Sequence, residues 1–332
     1  MWSIILICIS LLFGCQGDIA DDPKTFRVVS YNVQNLFDAH FDGTEYPEYQ
    51  DPKKWTERSY RMRLDTLART LCDSRLSYPD VVVLQEVEGE RVVVDLLTSH
   101  LARHGYGWYA TAREEGGAIS IAIISRHPLI EAAVHGHSGG RPALEASIAT
   151  DDGVVTIFAL HAKSQIGEYE ETEAHRLALM QAVGAASARR TGANILVCGD
   201  FNQNPDAVWH SGGIQTALVD VSHPKSEEYG EAGSLLITGS KSTMLPSWFY
   251  CPYLDGQNTV AGSYVYGGVW QQYDQILASY RLFDGVGWEF ESFRVCDLPS
   301  LVGGDGRPKA WNVQLLDGVS DHLPVLMTLK RR

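Results

Sequence analysis

A carboxylate and a carboxamide lie two residues apart in this chain, directly after a short apolar run. The apolar residues 195–197 lead into Gly199, Asp200, Phe201 and Asn202. Because side chains of a strand repeat with a period of two, Asp200 and Asn202 can point the same way at its end. Asp200 offers a negative charge and a proton acceptor, and Asn202 offers a donor and an acceptor. A site that handles phosphate oxygens and a divalent metal needs these side-chain types.

Other polar residues also follow or flank apolar runs. They are Asn32, Glu86, His161, Asp274 and the adjacent pair Asp321 and His322. Taken singly, each fits a structural role: a turn asparagine, a solvated strand end, a hydrogen-bonded core histidine, or a cap or loop pair. The same pattern nevertheless recurs five times, at Asn32, Glu86, His161, Asp200 and the Asp321–His322 pair, and Asp274 is a further acid. Open sheets place ligands at strand ends, so the recurrence indicates one shared site.

The elements that position these residues follow from hydrophobic periodicity. Helices are predicted over residues 56–72, 89–103 and 168–190. Thr56 is the expected cap of the first helix, and its arginines, including Arg63, are expected to be largely solvated. Strands are predicted over residues 26–34, 80–86, 108–111, 119–125, 144–150, 154–160, 263–266, 273–279 and 325–330. Residues 203–262 are expected to be irregular, with aromatic residues that shape a substrate site or form a satellite core.

The motifs, in their order along the chain, resemble those of the endonuclease/exonuclease/phosphatase superfamily. They are Ser30-Tyr31-Asn32-Val33-Gln34-Asn35, Leu84-Gln85-Glu86, Leu160-His161, Gly199-Asp200-Phe201-Asn202, Tyr273-Asp274-Gln275-Ile276 and Ser320-Asp321-His322. The resemblance covers about residues 26–330. It implies an α/β fold, a DNase I-like four-layer sandwich with two mixed β-sheets face to face and helices outside.

The resemblance also implies a metal site. Mg²⁺ prefers oxygen ligands and typically takes one or two carboxylates plus substrate phosphate oxygens. Glu86 is the expected ligand, Asn32 supports it, and Asp321 is a candidate third ligand. Mn²⁺ is the alternative cofactor. The Cys and His residues do not have zinc-site spacing.

The remaining family residues receive catalytic roles through the same resemblance. His322 is the candidate general base, or a proton carrier to the phosphate, and Asp274 orients its ring. Asp200 positions or deprotonates the attacking water. Asn202 donates to a phosphate oxygen, and His161 stabilises the charge that develops in the transition state.

The N-terminus predicts export. Residues 2–13 are almost entirely apolar, too few to span a bilayer but of the length of a signal-peptide core. The following Cys15 resembles the lipidated cysteine of a bacterial lipoprotein, although no Lys or Arg precedes the apolar run. We therefore expect a signal peptide over 1–14, a tether over 15–25 and one domain over 26–332. The expected location is the bacterial cell envelope, lipid-anchored at Cys15, and the alternative is a secreted or periplasmic protein.

Composition narrows the substrate without fixing it. The net charge of −14 argues against tight nonspecific binding to nucleic acid, which needs many Lys or Arg contacts with phosphates. Position 34 is Gln, whereas apurinic-site endonucleases of the family carry Asp there, which disfavours a DNA-repair role.

Cys198 is expected to be a buried thiol, and a disulfide among Cys72, Cys251 and Cys296 stays open.

Three functions remain after these observations. The favoured one is a monomeric, metal-dependent nuclease or phosphodiesterase acting on nucleic acid or nucleotides. The alternative is a phosphatase or a sphingomyelinase-like lipid phosphodiesterase. The third is a non-catalytic binding protein on the same scaffold, which the intact set of polar residues disfavours.

Overall fold

Two mixed β-sheets pack face to face, and helices cover their outer surfaces. The computed structural model describes residues 5–8, 24–137, 139–257 and 261–332 of the 332-residue chain. This arrangement confirms the predicted four-layer α/β sandwich.

The described helices and strands have the following bounds. The helices are α1 (Glu57–Leu71), α2 (Glu90–Leu96), α3 (Tyr169–Ala188) and α4 (Ser226–Glu231). The strands are β1 (Ile5–Cys8), β2 (Thr25–Leu36), β3 (Val81–Val87), β4 (Trp108–Arg113), β5 (Ser120–Ser125), β6 (Leu129–His135), β7 (Ala143–Thr150), β8 (Gly153–His161), β9 (Asn194–Asp200), β10 (Leu218–Asp220), β11 (Leu235–Thr238), β12 (Phe249–Tyr250), β13 (Tyr264–Tyr266), β14 (Val269–Gln271), β15 (Asp274–Ser279), β16 (Trp288–Val295) and β17 (Val325–Arg331).

Each sheet has a parallel pair among its inner strands, and the second sheet also has the parallel pairs β10–β11 and β11–β12. The first sheet has the order β1-β4-β5-β3-β2-β17-β16, with β2 and β3 parallel. The second has the order β10-β11-β12-β15-β9-β8-β7-β6, with β8 and β9 parallel. Strands β13 and β14 form a separate hairpin. The carboxyl ends of parallel strands lie at the same edge of a sheet, and these ends carry the polar motifs.

Three apolar layers hold the sandwich together. Val28, Val83 and Ile123 of the first sheet pack with Ile157 and Ile276 of the second to form the layer between the sheets. The other two layers lie outside, where α1 and α2 cover the first sheet and α3 covers the second. Because both faces of the central strands are buried, these strands read as continuous apolar runs.

Helix α1 confirms its predicted cap and corrects one expectation. The Thr56 hydroxyl accepts a hydrogen bond from the amide of Ser59 at 3.2 Å. Arg63, which was expected to be solvated, is fully buried. It donates to the carbonyls of Val33 and Gln34, and its guanidinium lies 4.5 Å from the centre of the Trp311 ring. Arg63 therefore supports the end of β2 that follows Asn32.

The segment 203–262 is more regular than the sequence indicated. It contains helix α4 and three strands that extend the second sheet to its edge, β10, β11 and β12. Short strands built from Leu, Val and Ile among Gly and Ser residues give a weak periodic signal, so sequence reasoning missed them. Strands β6, β14 and β16 were missed as well.

The termini and cysteines complete the description. Residues 5–8 pair with β4 at the sheet edge, whereas the remaining predicted signal residues and Cys15 lie outside the described residues. The cysteines 72, 198, 251 and 296 carry free thiols, and Cys198 is buried as predicted. Among the helices that the structure describes, none has both the length and the apolarity to cross a bilayer.

Candidate phosphoester site

One edge of the sandwich brings the predicted residues together. Asn32 lies near the end of β2, and Glu86 lies near the end of β3. In the second sheet, Asp200 is the register partner of both His161 and Asp274. Parallel pairing within each sheet and face-to-face packing between the sheets thus place two sets of strand ends opposite each other.

Unusual backbone conformations aim two of these side chains. Glu86 has φ +63° and Asn202 has φ +48°, in the left-handed region that non-glycine residues rarely adopt. The register of β3 against β5 shifts between Gln85 and Val87, so Glu86 occupies a bulge. Bulges re-aim side chains and strained residues cluster at functional sites, so both outliers point to a function for this edge.

Gly199 allows the strands to approach beside Asp200. A Cβ at this position would lie 2.0 Å from the carbonyl oxygen of Leu160, and φ is +152°. A larger residue would push β9 away from β8 and displace Asp200 from His161. The glycine of the Gly-Asp-Phe-Asn motif is therefore required by the sheet.

Asp274 and His322 form a close pair. The Asp274 Oδ2 lies 2.6 Å from the His322 Nδ1, which confirms the predicted contact. Ser263 donates its hydroxyl to the same oxygen at 2.5 Å. Burial lowers the pKa of His322, but Asp274 more than offsets this and the pKa rises to about 10. The ring is therefore poised as an imidazolium whose Nε2 faces the remaining acids.

A second network joins the carboxylates of the two sheets. The Asn32 side-chain amide donates to Glu86 Oε1 and to Asp200 Oδ2, both at 3.1 Å. The backbone amide of Asn35 donates to Glu86 Oε2 at 3.0 Å. Burial raises the pKa of Asp200 to about 7, and the Asp274 charge also acts to raise it. A carboxyl with this pKa changes protonation near neutral pH.

His161 lies between the same carboxylates. Its Nε2 is 3.7 Å from Glu86 Oε1 and 3.6 Å from Asp200 Oδ2. Burial lowers the pKa of His161 well below its ordinary value, and the nearby Arg141 charge acts in the same direction. A neutral imidazole is a hydrogen-bond donor or acceptor without a net charge.

Asn202 occupies a different local arrangement from the one expected. Its side-chain amide donates to the carbonyl of Ala162 at 3.1 Å, and its backbone amide donates to Asp200 Oδ1 at 2.8 Å. One N–H of the amide group remains for a phosphate oxygen. Asn202 thus orients Asp200 in addition to its predicted role.

Several supporting residues were missed in the sequence. Gln34 accepts from the backbone amide of Asp321 at 2.9 Å, and Ser320 donates to the carbonyl of Asn32 at 2.7 Å. Arg141 donates to the carbonyl of Ala162 at 3.0 Å, beside His161. Gln34 and Ser320 stand inside the recognised motifs, but Arg141 stands outside them, so no sequence signal marked it.

The donor set fits a divalent cation. Burial raises the pKa of Glu86, and the charge of Asp321 adds to this effect. Asp200, Asp274 and His322 also offer ligand atoms within 4.8 Å of one another, but the His322 Nδ1 is already occupied by its hydrogen bond to Asp274. Buried carboxylates that repel one another are compensated by a cation, and Mg²⁺ takes oxygen ligands. Glu86 and Asp321, with Asn32 beside Glu86, therefore suit such an ion better than the histidine pair does.

A family model covers nearly the whole chain. The model described as "Endonuclease/Exonuclease/phosphatase family" matches residues 27–331. The chain belongs to the endonuclease/exonuclease/phosphatase family. Members of this family hydrolyse phosphoester bonds and depend on divalent metals. A comparison with curated protein sequences found no match.

Several solved structures share the fold at low sequence identity. An endonuclease/exonuclease/phosphatase family protein from Bacteroides thetaiotaomicron matches with TM-score 0.53 and 16% identity, covering 92% of this chain and 97% of its own. A truncated Caenorhabditis elegans TDP2 matches with TM-score 0.54 and 16% identity, covering 93% and 100%. An AP endonuclease from Archaeoglobus fulgidus matches with TM-score 0.52 and 16% identity, covering 91% and 98%.

Proposed function

We propose that this family member is a Mg²⁺-dependent phosphodiesterase that cleaves nucleic acid or nucleotides, with Mn²⁺ as the alternative ion. The observation that carries the proposal is a continuous network of polar contacts between the two sheets. Asp274 contacts His322, His322 faces Asp200 at 4.0 Å, and Asn32 links Asp200 to Glu86. This network places an acid, a base and a cation site next to one another.

Asp200 and His322 both hold a proton more tightly than usual, but their pKa values differ. Burial raises the pKa of Asp200 to about 7, whereas the Asp274 carboxylate outweighs burial and raises the pKa of His322 to about 10. Pairs of groups whose pKa values are pushed apart divide into a base and an acid. We infer that Asp200 accepts the proton of the attacking water. As the water oxygen bonds to phosphorus, the phosphorus–oxygen bond to the leaving group breaks. The His322 imidazolium binds a phosphoryl oxygen and supplies a proton from Nε2 to the leaving oxygen.

The other residues act on charge. His161, held neutral, donates from Nε2 to an oxygen of the phosphoryl group, and Asn202 donates its free N–H. Arg141 lies close enough to affect the pKa of both Glu86 and His161, so it adds a positive charge at the mouth of the site. Glu86, Asp321 and Asn32 would hold Mg²⁺, which when bound neutralises charge on the phosphate and leaving oxygen.

The test is an activity panel with a matched inactive variant. The full-length protein is incubated with Mg²⁺ or Mn²⁺ and with single-stranded DNA, RNA, sphingomyelin or a phosphomonoester. We expect the nucleic-acid diesters to be hydrolysed fastest, and chelation to abolish the reaction. His322→Ala, purified in parallel, controls for contaminating nucleases. Faster turnover of sphingomyelin or of the phosphomonoester would replace the proposal with the lipid or phosphatase alternative.

We also propose that the protein is a monomer, exported and held at the cell envelope by lipid on Cys15. One chain supplies every residue of the candidate site, which supports function as a monomer. The apolar residues 2–13 and the cysteine that follows them support export and anchoring. A secreted or periplasmic form is the alternative.

A further inference from the structure

A short hairpin lies directly beside His322. Tyr264, the first residue of β13, forms an isolated antiparallel bridge with His322. Its ring stacks on the imidazole with centroids 4.4 Å apart and planes at 20°. It also stacks with Tyr273, at 5.7 Å and 25°. These contacts fix the hairpin against the phosphoester site.

The hairpin turns one aromatic and apolar face outward. Side chains alternate along a strand, so Tyr264 and Tyr266 share a face. Val269 lies directly opposite Tyr266 in the register and therefore belongs to the same face. Tyr266 is 69% exposed and Val269 is 62% exposed. We call Tyr264, Tyr266 and Val269 the tyrosine face.

Electrostatics confirm that the tyrosine face borders the carboxylates. Burial raises the pKa of Tyr264, and Asp321 and Asp200 add to the effect. Burial also raises the pKa of Tyr273 to about 12, with Asp200 as the next cause. The Tyr266 hydroxyl contributes to both shifts, so it lies near these two rings.

We propose that the tyrosine face binds the nucleobase next to the scissile phosphate and so selects single-stranded nucleic acid as the substrate. The proposal rests on the phosphodiesterase function and assigns the residues that read the substrate. Tyr264 anchors the face beside His322, and the exposed Tyr266 ring receives the base. A base bound there keeps its own phosphate within the reach of His322 and Asp200.

The physical argument favours an unpaired base over the other candidate groups. An aromatic side chain stacks on any base, since every base has a π-face. In a duplex both faces of a base are already stacked, so an unpaired base gains more. Inositol and simple phosphomonoesters offer no such ring, and Tyr266 with Val269 forms an open face, unlike the cage that encloses a choline cation. With a net charge of −14, the protein cannot rely on many phosphate contacts.

The experiment compares two oligonucleotides that differ in one base. A short single strand carries either a normal nucleotide or an abasic tetrahydrofuran residue beside the scissile phosphate. We expect wild type to cleave the base-bearing strand with a kcat/KM roughly tenfold higher. Tyr266→Ala should bring this ratio close to one, whereas Tyr266→Phe should keep it. Tyr78→Ala, at a tyrosine that is 36% exposed and lies before the opposite end of β3, is the control and should keep it too.

The outcomes separate this inference from the phosphodiesterase proposal. If wild type cleaves both strands equally, or if the preference survives Tyr266→Ala, the proposal that the tyrosine face binds the nucleobase is wrong. No cleavage of either strand with Mg²⁺ or Mn²⁺ overturns the phosphodiesterase function. In that case, metal-free binding measured by fluorescence anisotropy still decides the inference. Tighter binding of the base-bearing strand that is lost in Tyr266→Ala supports it, and equal binding of the two strands contradicts it.

Discussion

At the scale of single residues, the pair formed by His322 and Asp274 joins positions 48 residues apart at 2.6 Å. Asp274 holds the ring, raises its proton affinity and leaves Nε2 free for substrate. His322→Ala should therefore reduce kcat/KM by more than the ~10²–10⁴-fold typical of one acid–base group, because the ring also binds phosphate. Asp274→Ala should also reduce kcat/KM, but by a smaller factor. The two variants and wild type are compared by steady-state kinetics on one diester substrate.

The double variant gives the sharper result. Residues that act as a unit are strongly non-additive, so removing both should be scarcely worse than removing His322 alone. Urea denaturation of all three variants controls for loss of the fold. Losses that multiply would show that Asp274 and His322 contribute separately, despite their contact.

Glu86 tests the cation site. Glu86→Gln removes the charge but keeps a carbonyl oxygen for the amide of Asn35 and the same backbone preference at φ +63°. We expect activity to fall by orders of magnitude and the half-saturating Mg²⁺ concentration to rise by at least about tenfold. Metal titration of activity, with calorimetric binding as a second readout, measures both. Glu48→Gln, at an exposed position, is the control. A normal Mg²⁺ dependence in Glu86→Gln would show that the cation binds at other residues.

The limits of sequence reasoning at this scale are geometric. Local motifs identified Asp200, Glu86 and His322, because Asp200 and Glu86 follow apolar runs and His322 precedes one. Ser263 and Arg141 were not identified, because neither lies in such a motif and both join the site through chain folding. A contact such as that of Arg141 with the carbonyl of Ala162 leaves no trace in spacing or periodicity.

At the scale of elements, the end of β3 carries a buried acid outside the site. Glu88 accepts from the backbone amide of Asp38 at 2.7 Å. Burial raises its pKa to about 7, and the carboxylates of Asp38, Glu45 and Asp42 add to this shift. The folded protein thus holds this proton more tightly than the unfolded chain does. Ionised Glu88 therefore lowers the free energy of unfolding. This loss is absent below the pKa of Glu88 in the unfolded chain, grows as pH rises and is complete above about pH 7.

Glu88→Gln should remove this cost. The gain in unfolding free energy over wild type should be near zero at low pH and rise to an order of 2 kcal/mol in the alkaline range. Urea denaturation across a series of pH values measures it. The exposed Glu48→Gln should show no comparable trend. A gain that is the same at every pH would contradict the proton linkage.

Elements were predicted well where their periodicity is long. Helices α1 and α3 and the buried central strands follow directly from apolar spacing, and Thr56 caps α1 as expected. The burial of Arg63 was not predicted because its charge suggested solvent exposure, whereas its partners are carbonyls near the end of β2, about 30 residues away along the chain. Charge alone does not reveal such partners, because they come from packing between elements.

At the scale of the whole molecule, the sandwich explains why the site is shared by both sheets. Strands from each sheet end at one edge, and the apolar layer between the sheets fixes their separation. Asn32 of the first sheet therefore reaches Asp200 of the second at 3.1 Å. The family resemblance predicted this architecture, whereas length and composition alone predicted only that the chain has a large buried core.

Anchoring is also a property of the whole molecule, because it decides where the site meets its substrate. If Cys15 carries lipid, the full-length protein made in a bacterial host should sediment with membranes and partition into detergent. Cys15→Ser should move to the soluble fraction or remain an uncleaved precursor, because no thiol is left to receive the lipid. Fractionation with intact-mass measurement distinguishes these forms. Cys72→Ser, at a free and half-buried thiol, is the matched control and should stay with the membrane. Identical soluble behaviour of wild type and Cys15→Ser would leave the secreted form as the explanation.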